Sequence, residues 1–326
     1  MPQTPVIPHS VRAFAPASVG NFSAGFDFLG AALTPLDGSR LGNVVAATLA
    51  EEDALSWEGP FAHRLPLDPK ENLVLATRES FRAALAQRGL PRPSVALRLE
   101  MHLPPGSGLG SSASSIVATL VALQALHGHP LEPDAVLRIA GQVEGARGGG
   151  LHLDNVAPAY LGGLRLVMET GETGLLDTRA LPWPEDLQIV VAHPGLELPT
   201  AEGRRLLPAS LSLALAITFS RNAASLVHAL HVDDRAALVR CLWDPVAEPF
   251  RAHLVPGFQA ARRAALEAGA LNCGLSGSGP SLFAGVEPAC AAAVAAGLRS
   301  ALAVDGREVR TWICKLDRQG ARLVEG

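Results

Sequence analysis

Lysine is almost missing from this chain. Of its 27 basic residues only Lys70 and Lys315 are lysines. That excludes a Walker phosphate loop, whose Gly-x4-Gly-Lys-[Ser/Thr] pattern needs a lysine beside its glycines. Cysteine is scarce too. Cys241, Cys273, Cys290 and Cys314 are the four, and their spacings match no zinc or redox motif and no disulfide framework. Reduced thiols in a cytoplasm are the expectation. There is no basic excess: the formal net charge is −4 and the pI about 6.2, which argues against nucleic acid as a partner. Long apolar runs are lacking as well. The longest, residues 116–123 with its flanks, falls short of the ~20 residues a bilayer span needs. Residues 1–10 are proline-rich and lack the basic segment and apolar run of a signal peptide. A soluble, cytoplasmic protein without a membrane partner is expected.

What is present suits a well-packed globular chain: 48% hydrophobic and 18% charged residues over 326 positions, enough for about two domains. The most informative segment is Leu103-Pro104-Pro105-Gly106-Ser107-Gly108-Leu109-Gly110-Ser111-Ser112-Ala113-Ser114. The alternation of Val95, Leu97, Leu99 and Met101 predicts a half-buried strand before it, and apolar helical spacing follows it to Leu126. Alternating glycines let the backbone approach a ligand closely. A helix start then aims unpaired N–H groups and a positive dipole end at one spot, which favours phosphate. The dinucleotide fingerprint Gly-x-Gly-x-x-Gly fits badly, because Ser111 holds the third place. The segment reads as a nucleotide loop or as a flexible turn before a buried helix.

Three more segments stand out. Residues 15–27 are small and apolar yet carry Asn21 and Asp27. Glu144 lies on a helix predicted over residues 133–144, before His152-Leu153-Asp154-Asn155. A second glycine-rich loop spans residues 274–281. A strand over 11–15 should enter a loop over 16–30, and Gly148-Gly149-Gly150 should break the chain before a loop over 151–158. Further strands are expected at 164–168, 187–193, 281–286 and 309–316. Helices are expected at 72–87, 209–243 with a turn near Val232-Asp233, 258–269 and 289–303. Strands and helices do not alternate strictly, so the class is α+β, with halves meeting near Gly162-Gly163.

The segments Ala15-Pro16-Ala17-Ser18-Val19-Gly20-Asn21, Pro105-Gly106-Ser107-Gly108-Leu109-Gly110-Ser111-Ser112 and Gly274-Leu275-Ser276-Gly277-Ser278-Gly279-Pro280, in that order, resemble the GHMP small-molecule kinases. Residues 22–30, 152–158, 200–204 and 247–251 are similar to the homoserine kinases within that superfamily, and the resemblance runs from about Val11 to Glu325. It implies a two-domain GHMP kinase fold, with a ribosomal-protein-S5-like N-terminal domain over 1–163 and a ferredoxin-like C-terminal domain over 164–326. ATP and Mg²⁺ would be the cofactors and L-homoserine the small-molecule substrate. A homodimer is an open expectation. By the resemblance, main-chain N–H groups from Gly106 to Ser112 cradle the triphosphate, with Pro104, Pro105, Ala113 and Ser114 in the same nucleotide segment. Asn72 lines the adenine or caps a helix. Ser112 and Glu144 hold Mg²⁺, or Ser112 is an N-cap. Asn21 and Asp27 meet the amino end of the substrate, Arg204 and Arg251 its carboxylate, and Asp154 its hydroxyl, with His152 close by. Asn155 stands where mevalonate kinase and galactokinase resemblances would put an aspartate. That leaves Asp154 either to position the hydroxyl or to act as base.

Overall fold

The computed structural model describes residues 8–65, 71–146, 150–170 and 175–325. Lys70, Gly148, Gly149 and most of the proline-rich start lie outside the described residues. The first half runs β1 (Ser10–Gly20), β2 (Leu29–Pro35), β3 (Gly42–Leu49), β4 (Ala54–Glu58), α1 (Leu73–Gln87), β5 (Val95–Glu100), α2 (Ser111–Leu126), α3 (Pro133–Gly145) and α4 (Val156–Leu161). The second runs β6 (Leu164–Thr170), β7 (Leu175–Leu181), β8 (Gln188–His193), α5 (Thr200–Arg205), α6 (Leu213–Val232), α7 (Arg235–Cys241), α8 (Glu248–Arg251), α9 (Phe258–Glu267), β9 (Gly274–Leu275), β10 (Leu282–Val286), α10 (Ala291–Leu302), β11 (Arg310–Leu316) and β12 (Arg322–Leu323).

One sheet threads both halves in the order β4-β5-β3-β1-β2-β11-β8-β10-β9, with β12 on β1 and β6 on β2. It crosses the expected boundary at Gly162-Gly163 without a break, because β6 and β11 both pair with β2. Helices α1, α2 and α3 cover β1, β3 and β5 through Phe81, Ile116, Leu120, Leu97 and Leu99. On the second half, α9 and α10 cover β8 and β10 through Val190, Phe258, Val294 and Leu298. Between them Phe22, Trp183, Phe283, Leu226 and Leu230 form a third cluster. Each such side chain contributes roughly 1.5–3 kcal/mol on burial. All of α2 except Ser112 and Val121 is buried, so the glycine loop before it opens directly off the core.

Two local expectations change. The first strand does not stop at Ala15. Ser10 to Pro16 pair with β3, and Ala17 to Gly20 pair with β2. Pro16 sits where the strand changes partner, a position at which its missing N–H leaves no ladder bond broken. The loop expected over 151–158 turns into α4 from Val156 on. Its core residues, Val156, Ala157 and Ala159, make a six-residue helix too short for a periodic signal.

Helix α6 also departs from expectation. It is 20 residues long and apolar enough, by length and composition, to cross a bilayer, yet only 17% of its most apolar window is buried. Thr218, Ser220, Arg221, Asn222 and Ser225 interrupt it, which hid it from a search for unbroken apolar runs. Leu226, Ala229 and Leu230 tie it to the core.

Candidate active site

The glycine loop is shaped by its neighbours. Gly106, Gly108 and Gly110 all take left-handed φ, at 60°, 76° and 64°, which costs other residues about 1–2 kcal/mol. At Gly108 a Cβ would stand 2.5 Å from the Ser276 carbonyl oxygen and 2.7 Å from that of Gly279. The two glycine loops therefore interlock backbone to backbone. Ser276 Oγ donates to the Gly108 carbonyl at 2.6 Å, and the Ser281 N–H to that of Ser107 at 3.1 Å. On the other side the Ser18 N–H donates to the Leu109 carbonyl at 3.1 Å, and the Leu109 side chain is fully buried. The loop is thus clamped before any ligand arrives. The first N–H groups of α2 have no intrahelical acceptor by construction.

Gly110 is the N-cap residue of α2, so Ser112 is not a cap. Its hydroxyl donates to Glu144 Oε1 at 2.6 Å, bringing together residues on α2 and α3. Ser111 and Ser114 face inward. Ser111 Oγ donates to the Leu103 carbonyl, and Ser114 Oγ donates to the Ala15 carbonyl. Ala113 is wholly buried. Asn72 caps α1, its Oδ1 accepting the Val74 N–H at 3.0 Å.

Asp154 and Asn155 lie just beyond Gly110. Ser18 Oγ donates to Asn155 Oδ1 at 2.9 Å, and Asn155 Nδ2 donates to Asp154 Oδ2 at 3.1 Å. Ser18 thereby fixes which way the Asn155 amide faces, and it links the glycine loop to the Asp154 carboxyl. Burial pushes that carboxyl up to about 7, helped by the negative charges of Asp27 and Glu144 and opposed by Asn155 and Arg204. Close approach is possible because β1 and β2 carry glycines there. A Cβ at Gly20 would overlap the Asp154 and Asn155 side chains, and one at Gly30 would overlap the Asp154 main chain. The His152 N–H donates to the Gly141 carbonyl at 3.3 Å, fastening the segment to α3.

Asp27 and Arg204, 177 residues apart, form a two-point ion pair at 2.6 and 3.3 Å. Arg204 and Arg251 lie 6.0 and 5.4 Å from the Phe26 ring centre. Arg251 is nearly fully buried, with Nε donating to the Gly203 carbonyl at 3.0 Å. Burial is the main cause pulling its guanidinium below its ordinary value, against the attraction of Asp244, Asp27 and Asp154. Asn21 is bonded to the protein through both amide atoms. Its Oδ1 accepts the Asp27 N–H at 3.1 Å and its Nδ2 donates to the Gly277 carbonyl at 3.2 Å. These bonds hold a turn in which Asn21, Phe22 and Ser23 all have positive φ, a strained run for residues with side chains. Asn21 shapes the Asp27 loop and docks it on the second glycine loop.

Residues 72–163 match the family model described as GHMP kinases N terminal domain, and residues 227–304 match GHMP kinases C terminal. A homoserine kinase from Cytophaga hutchinsonii is 32% identical over 98% of this chain and 99% of that one, with a TM-score of 0.87. The chain belongs to the GHMP kinase family. Its fold also extends to more distant structures: the L. major mevalonate kinase solved with R-mevalonate is 17% identical over 96% of this chain and 99% of that one, at a TM-score of 0.68. A Streptococcus pneumoniae phosphomevalonate kinase is 14% identical over 93% of this chain and 99% of that one, also at 0.68. This GHMP kinase is accordingly an ATP-dependent phosphotransferase.

The oxygen donors of this GHMP kinase suit a hard cation. Ser112 Oγ and Glu144 Oε1 already converge at the positive end of α2. Among the described residues no group of three or more His, Cys, Asp or Glu could hold a metal alone, so nucleotide oxygens and water would have to complete the shell. Sequence reasoning missed Ser18, Gly20, Gly30 and Ser276 as site-building residues. All four lie inside the recognised motifs, but only their tertiary neighbours reveal what each does.

Proposed function

We propose that this kinase transfers the γ-phosphoryl group of ATP to the side-chain hydroxyl of L-homoserine, giving O-phospho-L-homoserine for threonine biosynthesis in the cytoplasm. One observation carries the choice of acceptor: the Asp27–Arg204 ion pair, with Arg251 over the same Phe26 ring. A free amino acid offers one ammonium and one carboxylate. It can take Asp27 with the first and Arg204 with the second, so opening the pair leaves neither charge without a partner. Mevalonate lacks the ammonium and would leave Asp27 facing an anionic nucleotide alone.

In this reading the N–H groups of Gly106 to Ser112 hold the triphosphate, and Asp154 holds the acceptor hydroxyl. Ser112 and Glu144 would hold Mg²⁺, which when bound neutralises charge on the phosphates. A carboxyl near 7 is well matched to take the hydroxyl proton at neutral pH. Asn155 keeps the carboxyl oriented and is itself oriented by Ser18. Phosphoryl transfer needs mainly positioning and charge neutralisation, so a single weak base is sufficient.

An ADP-release assay with homoserine, mevalonate and shikimate tests the proposal. Homoserine should give the highest turnover, and only with Mg²⁺ present. Rapid turnover of mevalonate with none of homoserine would overturn the acceptor. Nucleotide binding without ADP release under any condition would favour a regulator. Glu144→Gln should lower turnover by at least roughly 10–100-fold, the loss typical when only a group supporting a metal ligand is removed, and raise the Mg²⁺ concentration for half-maximal rate. An unchanged Mg²⁺ titration would remove Glu144 from the metal site.

A further inference from the structure

We propose that Glu248 is a positioning residue for the acceptor, fixing Arg251 and the second glycine loop as one unit. Arg251 needs such support. It ends α8, a helix of only four residues, and a single turn does not hold itself in water. The turn is tied down from outside. The Asp244 carboxylate accepts the N–H groups of Val246, Ala247 and Glu248 at 2.8, 2.9 and 3.1 Å. Glu248 then ties the turn sideways. Its Oε1 accepts a bond from Arg262 of α9 at 2.6 Å, and its Oε2 accepts the Leu275 N–H of β9 at 3.1 Å.

A carboxylate in this place is costly. Glu248 is only 8% exposed. Burial pushes its carboxyl above the ordinary range, and Arg262 and the Leu275 N–H pull it back. Buried ion pairs of this kind add little net stability, so packing alone does not account for it. Gly274 is an independent sign. Its φ is not left-handed, so turn geometry does not demand a glycine. A Cβ there would stand 2.8 Å from Glu248 Oε2, with Ser23 Oγ next at 3.8 Å. The missing side chain serves the Glu248 contact. Two residues beyond Leu275, the Gly277 carbonyl accepts from Asn21 Nδ2 at 3.2 Å and from Arg251 Nη1 at 3.5 Å. Glu248 therefore holds both the helix that carries Arg251 and the loop that receives it. The nucleotide side has its own anchors, Ser276 Oγ on Gly108 and the Ser281 N–H on Ser107.

This role rests on the acceptor reading above, in which Arg251 meets a carboxylate. Gly274→Ala tests it, because the added methyl displaces the movable end of Glu248 and crowds no other residue. Glu248→Gln is the second variant: its amide keeps an acceptor for Leu275 but sets an N–H group against Arg262. Both should melt near wild type, since the Arg262 side chain is 32% exposed and can turn to water. In both, KM for homoserine should rise roughly 10–100-fold, the loss of one hydrogen bond to a charged group, while KM for Mg-ATP holds. KM for 3-amino-1-propanol, which is homoserine without its carboxylate, should match that of the wild type. Binding is read separately. The rise in melting temperature that homoserine gives the wild type should shrink in the variants, and the rise given by a non-hydrolysable ATP analogue should not. Equal losses with both alcohols, or an unchanged homoserine KM, would overturn the role of Glu248 alone. A wild type neither stabilised by homoserine nor able to phosphorylate it would overturn the acceptor reading and this role with it.

Discussion

Asp154→Asn should lower homoserine-dependent kcat/KM by roughly 10²–10⁴-fold, the usual contribution of a positioned general base. The pH profile distinguishes a base from a mere anchor. With the carboxyl pushed up to about 7, the wild-type rate should fall tenfold per pH unit on the acid side of that value. The variant has no carboxyl at this position, and its residual rate should lose that limb. A residual rate that keeps the same limb would assign it to another group and leave Asp154 a positioning role. The same substitution should stabilise the protein. The folded state keeps the Asp154 proton between the ordinary carboxylate range and about 7, where the unfolded chain has already lost it. Stability therefore falls as pH rises through that window and stays lower above it. The gap is worth up to about 4 kcal/mol. Melting of the nucleotide-free protein should show Asp154→Asn above wild type at pH 8, with the difference gone below pH 4. Lost activity with gained stability is the pattern expected of a functional group held in an unfavourable environment.

How far these features could be read from residues alone depends on how local they are. The glycine loop and α2 were legible because left-handed glycines and a long apolar helix leave their mark within twenty residues. The turn near Val232-Asp233 was legible for the same reason, and it separates α6 from α7. Strand β4 gave no such mark: four of its five residues are exposed, so no inside–outside alternation appears. The Ser112–Glu144 contact was anticipated only through a family resemblance, since 32 residues and two helices separate the partners. The bonds of Asn21 within the fold could not be read from residues alone. A small polar residue in an apolar loop looks the same whether it greets a ligand or ties down a neighbouring carbonyl, and Gly277 is 256 positions away. The exposure of α6 was hidden for the opposite reason, because apolar composition ordinarily predicts burial.

Gly30→Ala should lower turnover strongly while leaving nucleotide binding in place. The added Cβ would fall within the Asp154 carbonyl oxygen and 2.7 Å from its carbonyl carbon, against an ordinary contact of 3.4 Å or more. Strand β2 cannot recoil, because Gly30 is paired with Gly20 of β1 on one side and Arg165 of β6 on the other. The Asp154 peptide must move instead. A displacement of about 1 Å at a reacting group can cost 10²-fold, and this one exceeds it, so kcat should fall by at least roughly 10²-fold. The glycine loop keeps its clamps from Ser276 and Ser281, so nucleotide affinity, measured by fluorescence titration with an ATP analogue, should change little. Gly38→Ala is the control, since nothing lies within 4 Å of its Cβ; it should cost only the strain of a positive φ and leave turnover intact. If Gly30→Ala retained wild-type kcat, the Asp154 carboxyl would not be where phosphoryl transfer occurs.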